Sequence, residues 1–292
     1  MNSEDRRAAS LMPVVVAVGV GVAWAGSQGG IVAGSLPAFA VCGVLVFAIN
    51  WIAFVPAYLR RTERFFDLTG SITYISAVMT ALLLTGARDA RSLLLGALVI
   101  VWAVRLGAFL FARINRDGKD ARFDEVKMSF PRFLGAWTLQ GLWVLLTLAA
   151  ALGAITSASV RPLGMFALVG SSVWAVGFAI EVVSDRQKKR FREDPANQGR
   201  FIQSGLWAWS RHPNYFGEIV LWFGVALIAF PELAGWQYVT LVSPVFVYFL
   251  LTRISGTPLL EERAEAKWGD DPEYRAYRDR TPELFMRRPV SS

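Results

Sequence analysis

Apolar blocks of about twenty residues, each closed by a short polar stretch, dominate this chain and restrict it to one kind of fold. A helix of about 20 residues crosses the hydrocarbon layer of a bilayer, and inside that layer every backbone N–H and C=O must be satisfied within the segment. Eight such blocks can be marked, at 11–33, 37–59, 68–86, 92–112, 133–157, 162–183, 213–231 and 236–253. The expected fold is therefore an all-α integral membrane protein with eight transmembrane helices. The composition agrees: 54% of the 292 residues are hydrophobic and 18% charged, too apolar a mixture for an ordinary soluble domain. The first block follows MNSEDRRAAS, and Ala38-Phe39-Ala40 imitates a signal-peptide cleavage site. The block is too long for a signal h-region and a second span follows it directly, so it reads as a retained helix.

The loops orient these spans. Arg6 and Arg7 precede the first, and Arg60, Arg61 and Arg64 follow the second. Six Lys and Arg from Arg113 to Arg132 follow the fourth, and the segments after the sixth and eighth are also basic. The loops on the other side carry only Arg88, Arg91 and Arg161. The positive-inside rule then places both termini in the cytoplasm. The net charge of +7 thus reads as membrane topology and anion binding, with no nucleic-acid partner. One cysteine, Cys42, and one histidine, His212, leave neither a disulfide nor a Cys/His metal site, and no metal is expected. The whole of 1–292 is expected to form a single polytopic domain, with an N-terminal helix at 11–33, a core at 37–253 and a cytoplasmic tail or lid at 254–292.

Polar residues within spans are expensive and therefore candidates for function. They are Asp67 at the head of the third span, Arg105 in the fourth, Gln140 in the fifth, Glu181 at the end of the sixth and Glu218 in the seventh. Snorkelling of helix-end residues to the headgroups is the competing explanation.

The stretch from Asp185 to Glu218 holds the largest concentration of such features and reads as a basic loop leading into the seventh span. Pro213 is suited to a first helical position, so its helix should start there and present free N–H groups to the loop. Asn214 and Glu218 then share one face, four residues apart. A carboxylate in this position must be protonated, paired with a cation such as Arg105, or bonded to a ligand N–H. Gly199, Gly205, Trp207 and Trp209 interleave with the arginines, which describes a folded pocket better than a solvated tail. Farther on, Glu261 and Glu262 precede Trp268-Gly269 and the pair Tyr274 and Tyr277. This is either an amphipathic helix and turn or a lid over a nucleotide-like cofactor. Gly19-Val20-Gly21 lacks a strand–turn–helix context, so no Rossmann motif is present, and no P-loop or G-x-S-x-G elbow occurs.

Together, TERFFDLTGS, RLGAFLFARINRDGKDARFDE and SRHPNYFGEI resemble the DUF1295 branch of the steroid 5-alpha-reductase-like superfamily, over about residues 45–285. Sterol reductases and isoprenylcysteine carboxyl methyltransferases are relatives of that superfamily. The resemblance implies a seven-helix reductase core with one extra helix, NADPH as cofactor, and a lipophilic substrate entering from the bilayer. It places Asn214 and Glu218 at the nicotinamide, Arg192 and Arg200 at the phosphates and Asp185 at the family's aspartate. His212, Tyr215, Tyr274 and Tyr277 complete the cofactor set. Arg105 matches an arginine on the helix of the family's catalytic tyrosine, but Trp102 stands in place of that tyrosine. Phe66-Asp67 stands where the family has Gln-Glu. Asp67, Arg105 and, as a substitute proton donor, Tyr74 are therefore the expected catalytic residues. The implied activity is NADPH-dependent reduction of a carbon–carbon double bond in a steroid- or isoprenoid-like enone. Methyl transfer from S-adenosyl-methionine to a lipid, or lipid binding without catalysis, are the alternatives. The implied setting is a bacterial inner membrane or the endoplasmic reticulum, with the cofactor site facing the cytoplasm.

Overall fold

A computed structural model describes residues 3–86 and 89–289. It is helical almost throughout, and eight of its helices are long and apolar enough to cross a membrane. The main elements are α1 (Ser3–Ser27), α2 (Ala38–Leu59), α3 (Phe66–Thr85), α4 (Ala90–Asp117), α5 (Phe130–Ile155), α6 (Met165–Glu193), α7 (Pro213–Ala229), α8 (Val242–Phe249), α9 (Thr257–Trp268) and α10 (Pro272–Arg280). A π-turn at Leu250–Ile254 extends α8.

The chain forms two compact units. The first comprises the residues up to Ala167 together with Ile228–Ser243; the second comprises Leu168–Leu227 and the residues from Pro244 onward. In the first unit α5 is the hub: 89% of its apolar window is buried, and α1, α2, α3 and α4 all pack on it. Its sequence explains this, because FPRFLGAWTLQGLWVLLTLAAALGAI is apolar on every face, as a helix enclosed by other helices must be. The unit also contains a buried aromatic cluster of Phe54, Phe123, Phe133 and Trp137.

The first unit also buries an ion pair. Arg91 Nε lies 3.0 Å from Glu232 Oε1, and both side chains are at most 3% exposed. Arg91 also donates to the carbonyls of Ile228 and Pro162 at 2.8 Å, while the Arg161 N–H donates to Glu232 at 2.9 Å. Of the three arginines that fall outside the basic loops, Arg91 thus has its charge paired inside the protein, while Arg161 meets Glu232 through its backbone N–H alone. The third, Arg88, lies outside the described residues.

In the second unit α6 and α7 come into backbone contact at glycines. A Cβ on Gly177 would lie 2.5 Å from Leu221 N, and one on Gly217 would lie 2.6 Å from the Gly177 carbonyl. One turn-pair on, a Cβ on Gly224 would lie 2.6 Å from Trp174 N. Gly170, Gly177, Gly217 and Gly224 thus form two pairs spaced by seven residues, one pair on each helix. Small residues permit this close approach where no hydrophobic gain drives helices together.

Several boundaries differ from the expected ones. The first span runs Ser3–Ser27 instead of 11–33 and is followed by a short hairpin, Val32–Ala33 with Leu36–Pro37, that turns at Gly34. Hydropathy does not register a Gly-rich turn of apolar residues. The fourth span runs to Asp117, which puts Arg113 and Arg116 on a helix. The expected loop from Asp185 is helical as far as Glu193, because SDRQKKRFRE has no Gly or Pro to break α6 and straight-chain residues favour a helix in water. The helix begun by Pro213 is as expected.

Candidate cofactor site

The last turns of α6, the loop at 199–212, and the tail helices α9 and α10 line an open cavity of about 340 Å³ in the second unit. Each wall follows from local sequence. On α6, Lys188 and Arg192 are four residues apart and share a face. The loop is pinned to that helix by Gly205, which has φ +61° and packs against Gln187, and by the Leu206 N–H donating to Gln187 Oε1 at 2.9 Å. Trp207 donates from its indole to the Ser184 carbonyl at 3.0 Å, and the Lys188 ammonium sits 4.3 Å from its ring centre. Gly199 turns the chain at φ +81° and accepts from the Trp268 indole at 2.6 Å, which joins the loop to α9.

The tail is held from both ends. Ser210 Oγ donates to the Leu284 carbonyl at 2.8 Å, the Arg211 N–H donates to the Pro282 carbonyl, and the Arg287 N–H donates to the Trp209 carbonyl. The Tyr277 hydroxyl donates to the Trp207 carbonyl at 2.7 Å. Phe201 sits among Trp268, Tyr274 and Tyr277 with ring centres 5.2–5.9 Å away. Burial raises the pKa of both Tyr274 and Tyr277, so both phenols stay neutral.

Charge in the cavity is one-sided. Lys188, Arg192, Arg200, Arg211, Arg263 and Lys267 line it, and among its lining residues the one carboxylate is Glu261. Glu261 bridges two partners: His212 Nε2 is 2.6 Å from Oε1 and Arg211 Nη2 is 3.1 Å from Oε2. His212 is buried, with 5% exposure, and stacks on Tyr215 with ring centres 5.8 Å apart. Burial lowers the His212 pKa more than the Glu261 contact raises it, so the ring is held below the ordinary histidine value.

Of the nine residues expected at the cofactor, Arg192, Arg200, His212, Tyr274 and Tyr277 line this one cavity. Asp185, Asn214, Tyr215 and Glu218 are outside its lining. Asn214 donates to Asp185 at 3.3 Å, joining two of the four, and Glu218 is half-buried one turn farther along α7. The expected catalytic residues are in the first unit. Asp67 pairs with Arg113 at 3.2 Å, an arginine that charge counting had assigned to a loop. The Tyr74 ring meets Trp102 edge-on at 5.0 Å, both side chains being buried. Arg105 is half-buried with its guanidinium 5.3 Å from the Phe109 ring centre. The His212–Glu261 contact and the Arg91–Glu232 pair were not legible beforehand: the partners are 49 and 141 residues apart, and the tail pattern that includes Glu261 names no partner for it.

The DUF1295 family profile, described as a protein of unknown function, matches residues 53–281. The chain belongs to this family. An uncharacterized protein of Schizosaccharomyces pombe is 24% identical over 227 residues, which cover 68% of the present chain and 64% of the yeast protein. The bovine 3-oxo-5-alpha-steroid 4-dehydrogenase 1 is 32% identical over 71 residues, or 24% of this chain and 27% of the bovine one. A probable O-methyltransferase of Ustilaginoidea virens is 29% identical over 97 residues, or 30% of this chain and 34% of the fungal one. This DUF1295 chain thus spans less than two thirds of the length of each of these relatives. No solved structure matches it.

Proposed function

We propose that the chain is a membrane reductase that uses NADPH to reduce an activated carbon–carbon double bond in a lipophilic enone of steroid or isoprenoid type. The observation that carries this reading is the cavity's donor set: six basic side chains against one carboxylate, beside planar Trp and Tyr rings. Guanidinium groups bind phosphate in a bidentate manner, and aromatic faces take a nucleobase. That combination fits the adenosine diphosphate part of a dinucleotide. Arg192 and Arg200 would hold phosphate, and Trp268, Tyr274 and Tyr277 would flank the base. Asp185, Asn214 and Glu218 would receive the carboxamide end, through acceptors that suit an amide N–H.

When bound, NADPH supplies a hydride. The chain's own part is to hold the enone and to deliver a proton. Arg113 keeps Asp67 anchored, and the Tyr74 hydroxyl carries the proton where the family places a tyrosine in the position of Trp102. The similarity to the bovine steroid dehydrogenase supports the reductase class. The distribution of Lys and Arg supports a cytoplasmic cofactor site and cytoplasmic termini. Substrate would enter from the lipid, either in a bacterial inner membrane or in the endoplasmic reticulum.

Thermal-shift titration of the detergent-solubilised protein tests the site. NADPH should stabilise the wild type and lose that effect in Arg192→Ala and Glu218→Ala; unchanged binding in both variants rejects the assignment. The similarity to a fungal O-methyltransferase supports a second reading, methyl transfer from S-adenosyl-methionine to a lipid. Stabilisation by S-adenosyl-homocysteine instead of NADPH would select it.

A further inference from the structure

The one carboxylate among the residues lining the cavity does not stand apart from its cations. Glu261 projects from the second turn of α9 and bridges Arg211 and His212, at 3.1 and 2.6 Å. Both partners are otherwise fixed. Arg211 is held by its N–H to the Pro282 carbonyl and by its Nη1 to the Arg278 carbonyl at 3.1 Å. The His212 N–H donates to Ser210 Oγ at 3.1 Å and the ring stacks on Tyr215. The arginine side chain is 14% exposed and the histidine side chain 6%, whereas Glu261 is at 25%. The acid is the more accessible member of the trio. Its carboxylate, with two acceptor oxygens set between a guanidinium and an imidazole, has the charge and shape of a phosphate edge.

We propose that Glu261 is a tethered competitor for the anionic group of the ligand: it occupies the anion position formed by Arg211 and His212, and a phosphate reaching that position must displace it. This rests on the reading that the cavity takes a phosphorylated cofactor. Displacement would free α9 from its Glu261 anchor, so occupancy of the anion position and the Glu261 bridge exclude one another. The remaining cations of the cavity, Lys188, Arg192, Arg200, Arg263 and Lys267, attract the incoming anion without being bridged by Glu261.

The probe is inorganic pyrophosphate, titrated by calorimetry into the full detergent-solubilised chain, with NADPH and S-adenosyl-homocysteine in parallel. Glu261→Gln, which removes the charge and keeps the shape, should bind pyrophosphate about tenfold tighter than the wild type. Hydrogen exchange on the wild type gives a readout that needs no variant: pyrophosphate should speed exchange in 257–268 while slowing it in 200–212. Equal or weaker pyrophosphate binding by Glu261→Gln, or slower exchange across 257–268, overturns the competitor role. If NADPH still binds the wild type in that case, the cofactor reading survives. Failure of both pyrophosphate and NADPH to bind either protein removes the cofactor reading and the competitor together.

Discussion

The two units handle charge in opposite ways. In the first, the most deeply buried ionic groups are consumed internally: Arg91 by Glu232, and Lys127 by Glu63 at 2.8 Å. Glu63 shows the result, because burial works to raise its pKa and the Lys127 hydrogen bond and the Asp120 N–H nevertheless bring it below the ordinary value. In the second, six basic side chains converge on a cavity with one carboxylate between them. An ion pair enclosed by protein serves architecture, since either member alone would be a charge in a medium that cannot solvate it. An excess of one sign around a hollow is poor architecture and good recognition. The difference marks the cavity, and not the buried pairs, as the candidate binding site.

The contrast breaks most visibly at Arg91. Arg91→Ala should destabilise the protein by about 3–5 kcal/mol, because Glu232 is left buried without its cation. Arg91→Met combined with Glu232→Leu should recover most of the loss. Melting temperature in detergent reads both, and a neutral single variant would show that the pair is solvated. A smaller loss, about 1–3 kcal/mol, is expected for Gly217→Leu, which forces α7 away from the Gly177 carbonyl. Proteolytic lability of the second unit, with the first unit intact, would show where the damage is confined.

At the cavity, removing a cation should act on binding and spare folding. Arg200→Ala, at an exposed position, should weaken NADPH by tenfold or more while moving the melting temperature of the ligand-free protein little. A fall in melting temperature equal to that of Arg91→Ala would erase the distinction between the units. The smallest effect concerns pH. The folded His212 pKa is lowered, so the unfolded chain takes up the proton first, and stability falls as pH drops below about 6.5. With one histidine in the chain, the fall in melting temperature between pH 7.5 and 5.5 should be smaller in His212→Gln. An equal fall in both proteins would mean that the ring is solvated.

Much of this was legible in the chain itself. Eight apolar segments and the start of α7 at Pro213 follow from local composition, whereas the grouping of Arg192, Arg200 and His212 with Tyr274 and Tyr277 was an expectation from the family resemblance. The first two are local properties: the length of an apolar run is set by the bilayer, and a proline marks a helix start wherever it stands. The ends of α1, α4 and α6 were less legible, because hydropathy reports where lipid ends and a helix of straight-chain residues continues past that point into water.

What only the tertiary structure decided is which charges meet. Glu232 carries no signal in its own neighbourhood and Glu261 only that of a tail open to two readings; each acquires its partner when folding brings an arginine from 141 or 50 residues away to within hydrogen-bond reach. The same holds for the glycines of α6 and α7, whose seven-residue spacing is plain in the sequence while their partner is not. Secondary structure and membrane crossing are fixed by interactions along the chain and with the solvent. The pairing of buried charges and the contact of helix backbones depend on separations that no local pattern encodes.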